Sequence, residues 1–98
     1  MKRFVVSLLA EADLAEIHAY IAADRPRAAD RLIARFFRAF GTLATQPQMG
    51  ERRDELLPGL RTFSVKSYVV CYAAIDDGIE VARVLHGARD IAAIFRGP

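Results

Sequence analysis

Cysteine is almost absent from this 98-residue chain. Cys71 stands alone, so no disulfide can brace the fold, which fits a reducing compartment; in the apolar run YVVCYAA it reads as a buried, inert thiol. Histidine occurs only as His18 and His86, far apart in the chain, and no cysteine or carboxylate cluster has ligand spacing, so no metal site is expected. There is no glycine-rich phosphate loop and no nucleophile elbow, which argues against conventional nucleotide and hydrolase chemistry and leaves no cofactor to expect. Long apolar runs are also missing. The opening MKRFVVSLLA is interrupted by Glu11 and Asp13 before it could form a signal-peptide core or a membrane span, so a cytoplasmic protein without a membrane partner is expected. The length excludes a second core, and residues 1–98 read as one domain.

What is present is apolar bulk and arginine. Apolar residues make up 53% of the chain, much for a small domain with a large relative surface, so part of that area is expected to face a partner. Net charge is only +2, but twelve of the fourteen basic residues are arginine. The planar arginine fork suits carboxylates and phosphates, although genomic base composition can produce the same bias.

Patterning predicts a strand at 3–6, then Ser7 as the N-cap of a helix over 8–24 with Ala10, Leu14, Ile17 and Ile21 inward. Arg25-Pro26 breaks that helix and starts a second over 26–45. Its core face is Ala29, Leu32, Ile33, Phe36, Phe37, Phe40, Leu43 and Ala44, and its back carries Arg27, Arg31, Arg35 and Arg38. Residues 46–59 hold Pro47, Gly50, Pro58 and Gly59 and read as loop. Strands are predicted at 60–65, 68–75 and 79–86, joined by tight turns at Lys66-Ser67 and Asp76-Asp77-Gly78, which force antiparallel pairing. A tail over 87–98, with a short helix at 88–95, completes an α+β, β-α-α-β-β-β chain, a helical hairpin on a small antiparallel sheet.

Two clusters invite function. Arg61, Arg83, His86 and Arg89 lie at strand ends that a curled sheet could gather along one edge, although Arg83 and His86 have opposite parity. They suit phosphate or partner carboxylates; equally, Arg83 and Arg89 could pair with Glu80, Asp90 or loop acids while His86 caps a strand. The arginine back of the second helix is a solvated face or a dock for an acidic segment. His18 reads as a core-margin residue, and Tyr68, Tyr72 and the phenylalanines as packing.

The ordered set SxxAxxDLxEIxxYIA (7–22), DxPxAAxRLI (24–33), LAxxPxxG (43–50), ELxPGLR (55–61), YVVxY (68–72), DGIE (77–80) and RVLHGARD (83–90) resembles the ParE toxins of bacterial toxin-antitoxin modules over nearly the whole chain. The resemblance implies the RelE/ParE fold, a ParD-like antitoxin and growth arrest by poisoning of DNA gyrase, with nucleic acid reached only through antitoxin or gyrase. The RelE branch of the superfamily instead cuts mRNA in the ribosome with alternating strand cations, a later arginine and a tail tyrosine. Aligned on those positions, this chain offers Arg61 and Arg89 but has Phe63, Val69 and Phe95 at the others. Transfer from a 2′-hydroxyl needs proton-handling groups and cations, which valine and phenylalanine cannot supply. The expectation is therefore a non-enzymatic toxin, with Arg61, Arg83, His86 and Arg89 as target contacts and Leu14, Ile21, Arg31, Arg35 and Arg38 as antitoxin contacts. A ribosome-dependent nuclease using His86 is the alternative.

Overall fold

A computed structural model describes residues 1–96. The elements in chain order are β1 (Arg3–Val6), α1 (Leu8–Ala22), α2 (Pro26–Thr45), β2 (Glu51–Arg52), β3 (Leu60–Val65), β4 (Tyr68–Ile75), β5 (Gly78–His86) and α3 (Ile91–Arg96). A 3-10 turn at Pro47–Met49 precedes β2. The five strands form one sheet in the order β1-β5-β4-β3-β2.

Local chemistry sets the helix boundaries. Ser7 caps α1 as expected, its Oγ accepting the Ala10 N–H at 3.1 Å. The helix stops at Ala22, two residues short of the predicted end, because Asp24 and Arg25 both donate back to the Ile21 carbonyl and tighten the last turn. Pro26 then opens α2. Phe36, Phe40 and Leu43 of α2 are fully buried, and with Ala10 and Leu14 of α1 they pack on Val70, Tyr72, Ile79, Val81 and Val84 of the sheet. Truncating one such phenylalanine typically removes ~3–5 kcal/mol.

Three features differ from the sequence expectation. The hairpins β3-β4 and β4-β5 are antiparallel, but β1 pairs parallel with β5, so the sheet is mixed. Two helices separate β1 from the rest, so no short turn dictates its direction. Gly78 makes this seam possible: its φ is +153°, and a Cβ there would run into the Arg3 carbonyl oxygen. Within the expected loop, Glu51 and Arg52 form a two-residue strand on β3, too short to leave a pattern in sequence. The buried Tyr72 hydroxyl holds that segment by donating to the Pro47 carbonyl at 2.7 Å and accepting the Gly50 N–H at 2.8 Å.

Finally, the sheet is covered on both faces. Leu60, Cys71 and Leu85 point away from α1 and α2 and are covered by Leu56, Ile91, Ile94 and Phe95. Helix α3 starts at Ile91, three residues later than the predicted tail helix, where Asp90 Oδ1 accepts the Ala93 N–H. The final two residues of the predicted tail, 97–98, lie outside the described part.

Candidate functional site

Because β1 stops at Val6, the outer edge of β5 continues without a neighbouring strand, and α1 crosses it. Polar side chains take over the edge. Ser7 Oγ donates to the Ala82 carbonyl at 2.8 Å, and the Asp13 carboxylate accepts the Val84 N–H at 2.9 Å. The same carboxylate receives the Arg83 guanidinium through two bonds of 2.8 and 2.9 Å. That hydrogen-bonded pairing raises the pKa of Arg83 above its ordinary value. A register shift helps: Cys71 opposes Arg83 while Tyr72 opposes Val81, so Ala82 is an extra residue and Val84 and Val81 share the helix-side core.

The structure does not gather the four expected strand-end residues. Arg61 donates to the carbonyls of Gly50 and Gln48 at 2.8 and 3.3 Å, bracing the β2 segment. It opposes Tyr72, whereas His86 opposes Tyr68 four residues along β4, which separates them by about 13 Å at ~3.3 Å per residue. Arg83 pairs with Asp13, a partner from a different element than Glu80, Asp90 or the loop acids. Only His86 and Arg89 stand together, on a groove of about 450 Å³ whose other wall is α1.

That first groove carries Glu16 and Tyr20 on α1 and Tyr68, His86 and Arg89 on the sheet side. His86 Nδ1 accepts the Ala88 N–H at 3.1 Å, so the neutral ring carries its proton on Nε2. Its ring meets Tyr68 edge to face at 5.3 Å, and Tyr68 in turn meets Phe36 at 5.6 Å. Tyr20 is 83% exposed beside it.

Tyr68 also forms part of a second groove of about 500 Å³ between the helical hairpin and the β3-β4 turn. Ile21, Ala28 and Leu32 join Tyr68 as its apolar part, while Arg25, Arg31, Arg35, Arg38 and Lys66 supply cations. Among the described residues, no carboxylate lines it. Four of the five expected antitoxin contacts therefore share one surface. Leu14 does not: at 7% exposure it belongs to the main core, because its position on α1 faces Phe36 and the sheet.

Sequence reasoning missed Asp13, Tyr20 and Lys66, and took Tyr68 as packing alone. Lys66 has a signal in retrospect, since a two-residue hairpin needs positive φ and presents that residue at a tip; its φ is 54°. Asp13 had none, because its partners lie 70 and 71 residues away. His18 joins the helices through Asp30 at 2.8 Å, and Cys71 is buried with its thiol pushed up to about 11 by desolvation. Among the described residues, no three His, Cys, Asp or Glu side chains gather as a metal site, and no helix is long and apolar enough to cross a membrane.

Comparison with known proteins gives three results. The family model described as "ParE toxin of type II toxin-antitoxin system, parDE" matches residues 4–91. Toxin ParE3 of Caulobacter vibrioides (strain ATCC 19089 / CIP 103742 / CB 15) is 41% identical over 54 residues, which cover 55% of this chain and 54% of that protein. The match thus spans about half the length of the curated relative. A structure titled "Chromosomal ParDE TA system from P. aeruginosa" superposes with a TM-score of 0.73 at 19% identity, covering 88% of this chain and 96% of that one. At that identity the likeness speaks for the fold.

Proposed function

The chain belongs to the ParE toxins of type II toxin-antitoxin systems, and from that premise we propose that it arrests growth by binding and poisoning DNA gyrase, without chemistry of its own, and is held inactive by a ParD-like antitoxin. The observation that carries the non-enzymatic reading is the state of the cations. Arg83 is held by the Asp13 carboxylate through Nε and Nη2, and Arg61 is anchored through Nη1 to the carbonyls of Gly50 and Gln48, so the one is neutralised and the other is tied to the β2 segment, away from His86. Val69 packs in the apolar layer beneath α3, and Phe63 packs against the main core. The groove holding His86 and Arg89 also contains Glu16, whose carboxylate opposes a polyanion.

The antitoxin reading rests on the second groove. A flexible acidic-apolar segment that folds on binding would set its apolar side chains beside Ile21, Leu32 and Tyr68 and its carboxylates on Arg31, Arg35 and Arg38.

The test is induced expression without antitoxin, followed by gyrase-cleavage and mRNA-cleavage assays on the same cells. Gyrase-cleaved DNA should accumulate, ribosome-bound message should stay intact, and His86→Ala should still arrest growth. Cleaved message, together with loss of activity by orders of magnitude in His86→Ala, would favour the ribosome-dependent nuclease, since His86 Nε2 is left available by the bond at Nδ1.

A further inference from the structure

The arginine row on α2 does more than line a groove. Arg27, Arg31, Arg35 and Arg38 are all exposed, and at 100° per residue they fall within about an 80° arc of one helix face. None of them takes part in an ion pair among the described residues, whose salt bridges involve Arg3, His18, Arg52, Arg53 and Arg83. Asp30, the one acid on α2, is bonded to His18. Uncompensated neighbours at i and i+4 repel one another, a cost that a polyanion would relieve.

The spacing identifies the polyanion. From Arg31 to Arg38 the row rises about 10.5 Å at ~1.5 Å per residue. Duplex DNA carries one phosphate per ~3.4 Å of axis on each strand, so the three arginines extend over about three phosphate intervals. The row continues to Arg27, outside the groove, along the 20-residue helix α2. A linear, rigid array that runs past the groove matches a rod of regularly spaced charge better than a short flexible peptide. Arg25 and Lys66 flank the groove and add cations beside the row.

We infer that the Arg27–Arg38 face of α2, with Arg25 and Lys66, is a phosphate-backbone contact for duplex DNA, reached directly rather than through another protein. It reads no sequence, because phosphate contacts position a protein without specifying bases. DNA and an acidic antitoxin segment then compete for the same guanidinium groups. Neutralisation would include displacement of DNA, whichever enzyme the toxin targets.

The experiment is fluorescence anisotropy of a labelled 30-bp duplex with purified toxin between 50 and 200 mM salt, with a labelled polyglutamate 20-mer as second probe. For about four phosphate contacts the slope of log K against log salt should be about −3.6, a loss of about 150-fold across that range. Arg31→Gln with Arg35→Gln and Arg38→Gln should bring the slope to about −1, at ~0.9 per contact, with an unchanged far-ultraviolet spectrum. Lys2→Gln with Arg52→Gln and Arg96→Gln, which removes three charges elsewhere, should leave the slope within about one contact of wild type. Three results overturn the inference: polyglutamate binding without DNA binding, which makes the row a carboxylate seat only; binding of neither probe, which makes it a solvated face; or equal loss in both triple variants, which reduces the effect to net charge. Because gyrase is absent from this assay, none of these outcomes bears on the gyrase-cleavage test.

Discussion

Replacing Asp13 by alanine should be among the most damaging single changes outside the aromatic core. Its carboxylate receives three hydrogen bonds, two from Arg83 and one from the Val84 amide, at 2.8–2.9 Å. Side-chain exposure is 11% for Asp13 and 21% for Arg83, so water can repair only part of the loss. Bonds to charged groups contribute ~1.5–3 kcal/mol each, but three bonds sharing one carboxylate do not add, and stranding a buried charge partner costs ~3–5 kcal/mol. The partial exposure of Arg83 points to the lower end, about 3 kcal/mol. A domain of this size is stable by ~5–15 kcal/mol, so the change removes a large share. Melting should fall by about 12–24 °C at ~4–8 °C per kcal/mol. Asp13→Asn keeps an oxygen for the Val84 amide but loses the charge, and should cost about 2 kcal/mol. Urea titration of the single variants and of the pair with Arg83→Ala gives the interaction energy, expected at ~1.5–3 kcal/mol. Amide exchange at Val84 should accelerate in Asp13→Ala alone. A cost below ~0.5 kcal/mol, the level of an ordinary surface change, or strict additivity with Arg83→Ala, would refute the reasoning.

Tyr72→Phe leaves the Gly50 amide and the Pro47 carbonyl without their shared hydroxyl and should cost ~1–3 kcal/mol by denaturant titration. Gly50→Ala should cost a similar ~1–3 kcal/mol, since the new methyl meets the Tyr72 hydroxyl and lies 2.8 Å from the Thr62 carbonyl oxygen; a neutral result would mean that the loop moves aside freely. Cys71, with no exposed surface and a thiol raised to about 11, should react with a disulfide reagent at pH 8 only as fast as the protein opens, and a free-thiol rate in native buffer would contradict its burial. The Asp54 carboxyl is held below its usual range, first by the Gly59 amide and then by Arg52. Its support for the 54–59 turn is complete above the unfolded value of ~3.9 and is lost as pH falls through the lower folded value, so the Gly59 amide shift should titrate with a midpoint below ~3.9; a higher midpoint would remove the bond.

The helical hairpin and both tight β-turns were legible because their signals are local: the Ser7 cap, the Arg25-Pro26 break, the apolar periodicity of residues 29–44 and the Asp76-Asp77-Gly78 turn. The parallel seam of β1 was not, since nothing in residues 3–6 names a partner near residue 80. The strand-end cluster came apart for a related reason. Sequence parity cannot foresee the extra Ala82 in β5, nor that Arg61 turns to carbonyls of a two-residue strand and Arg83 to a helix 70 positions earlier. The residues expected to meet an antitoxin, apart from Leu14, share one groove because all but one of them lie on one helix, where sequence spacing converts directly into space.

The pairing of β1 with β5 bears on how the protein is made. Ser7, near the start, bonds to Ala82, 75 positions later, so the first strand emerges from synthesis with nowhere to lie until the fifth is translated. Closure of so long a loop is slow and comes late. A chain with this connectivity stays structurally incomplete during most of its own translation, and under the function proposed above that interval is when an antitoxin would meet it as it folds.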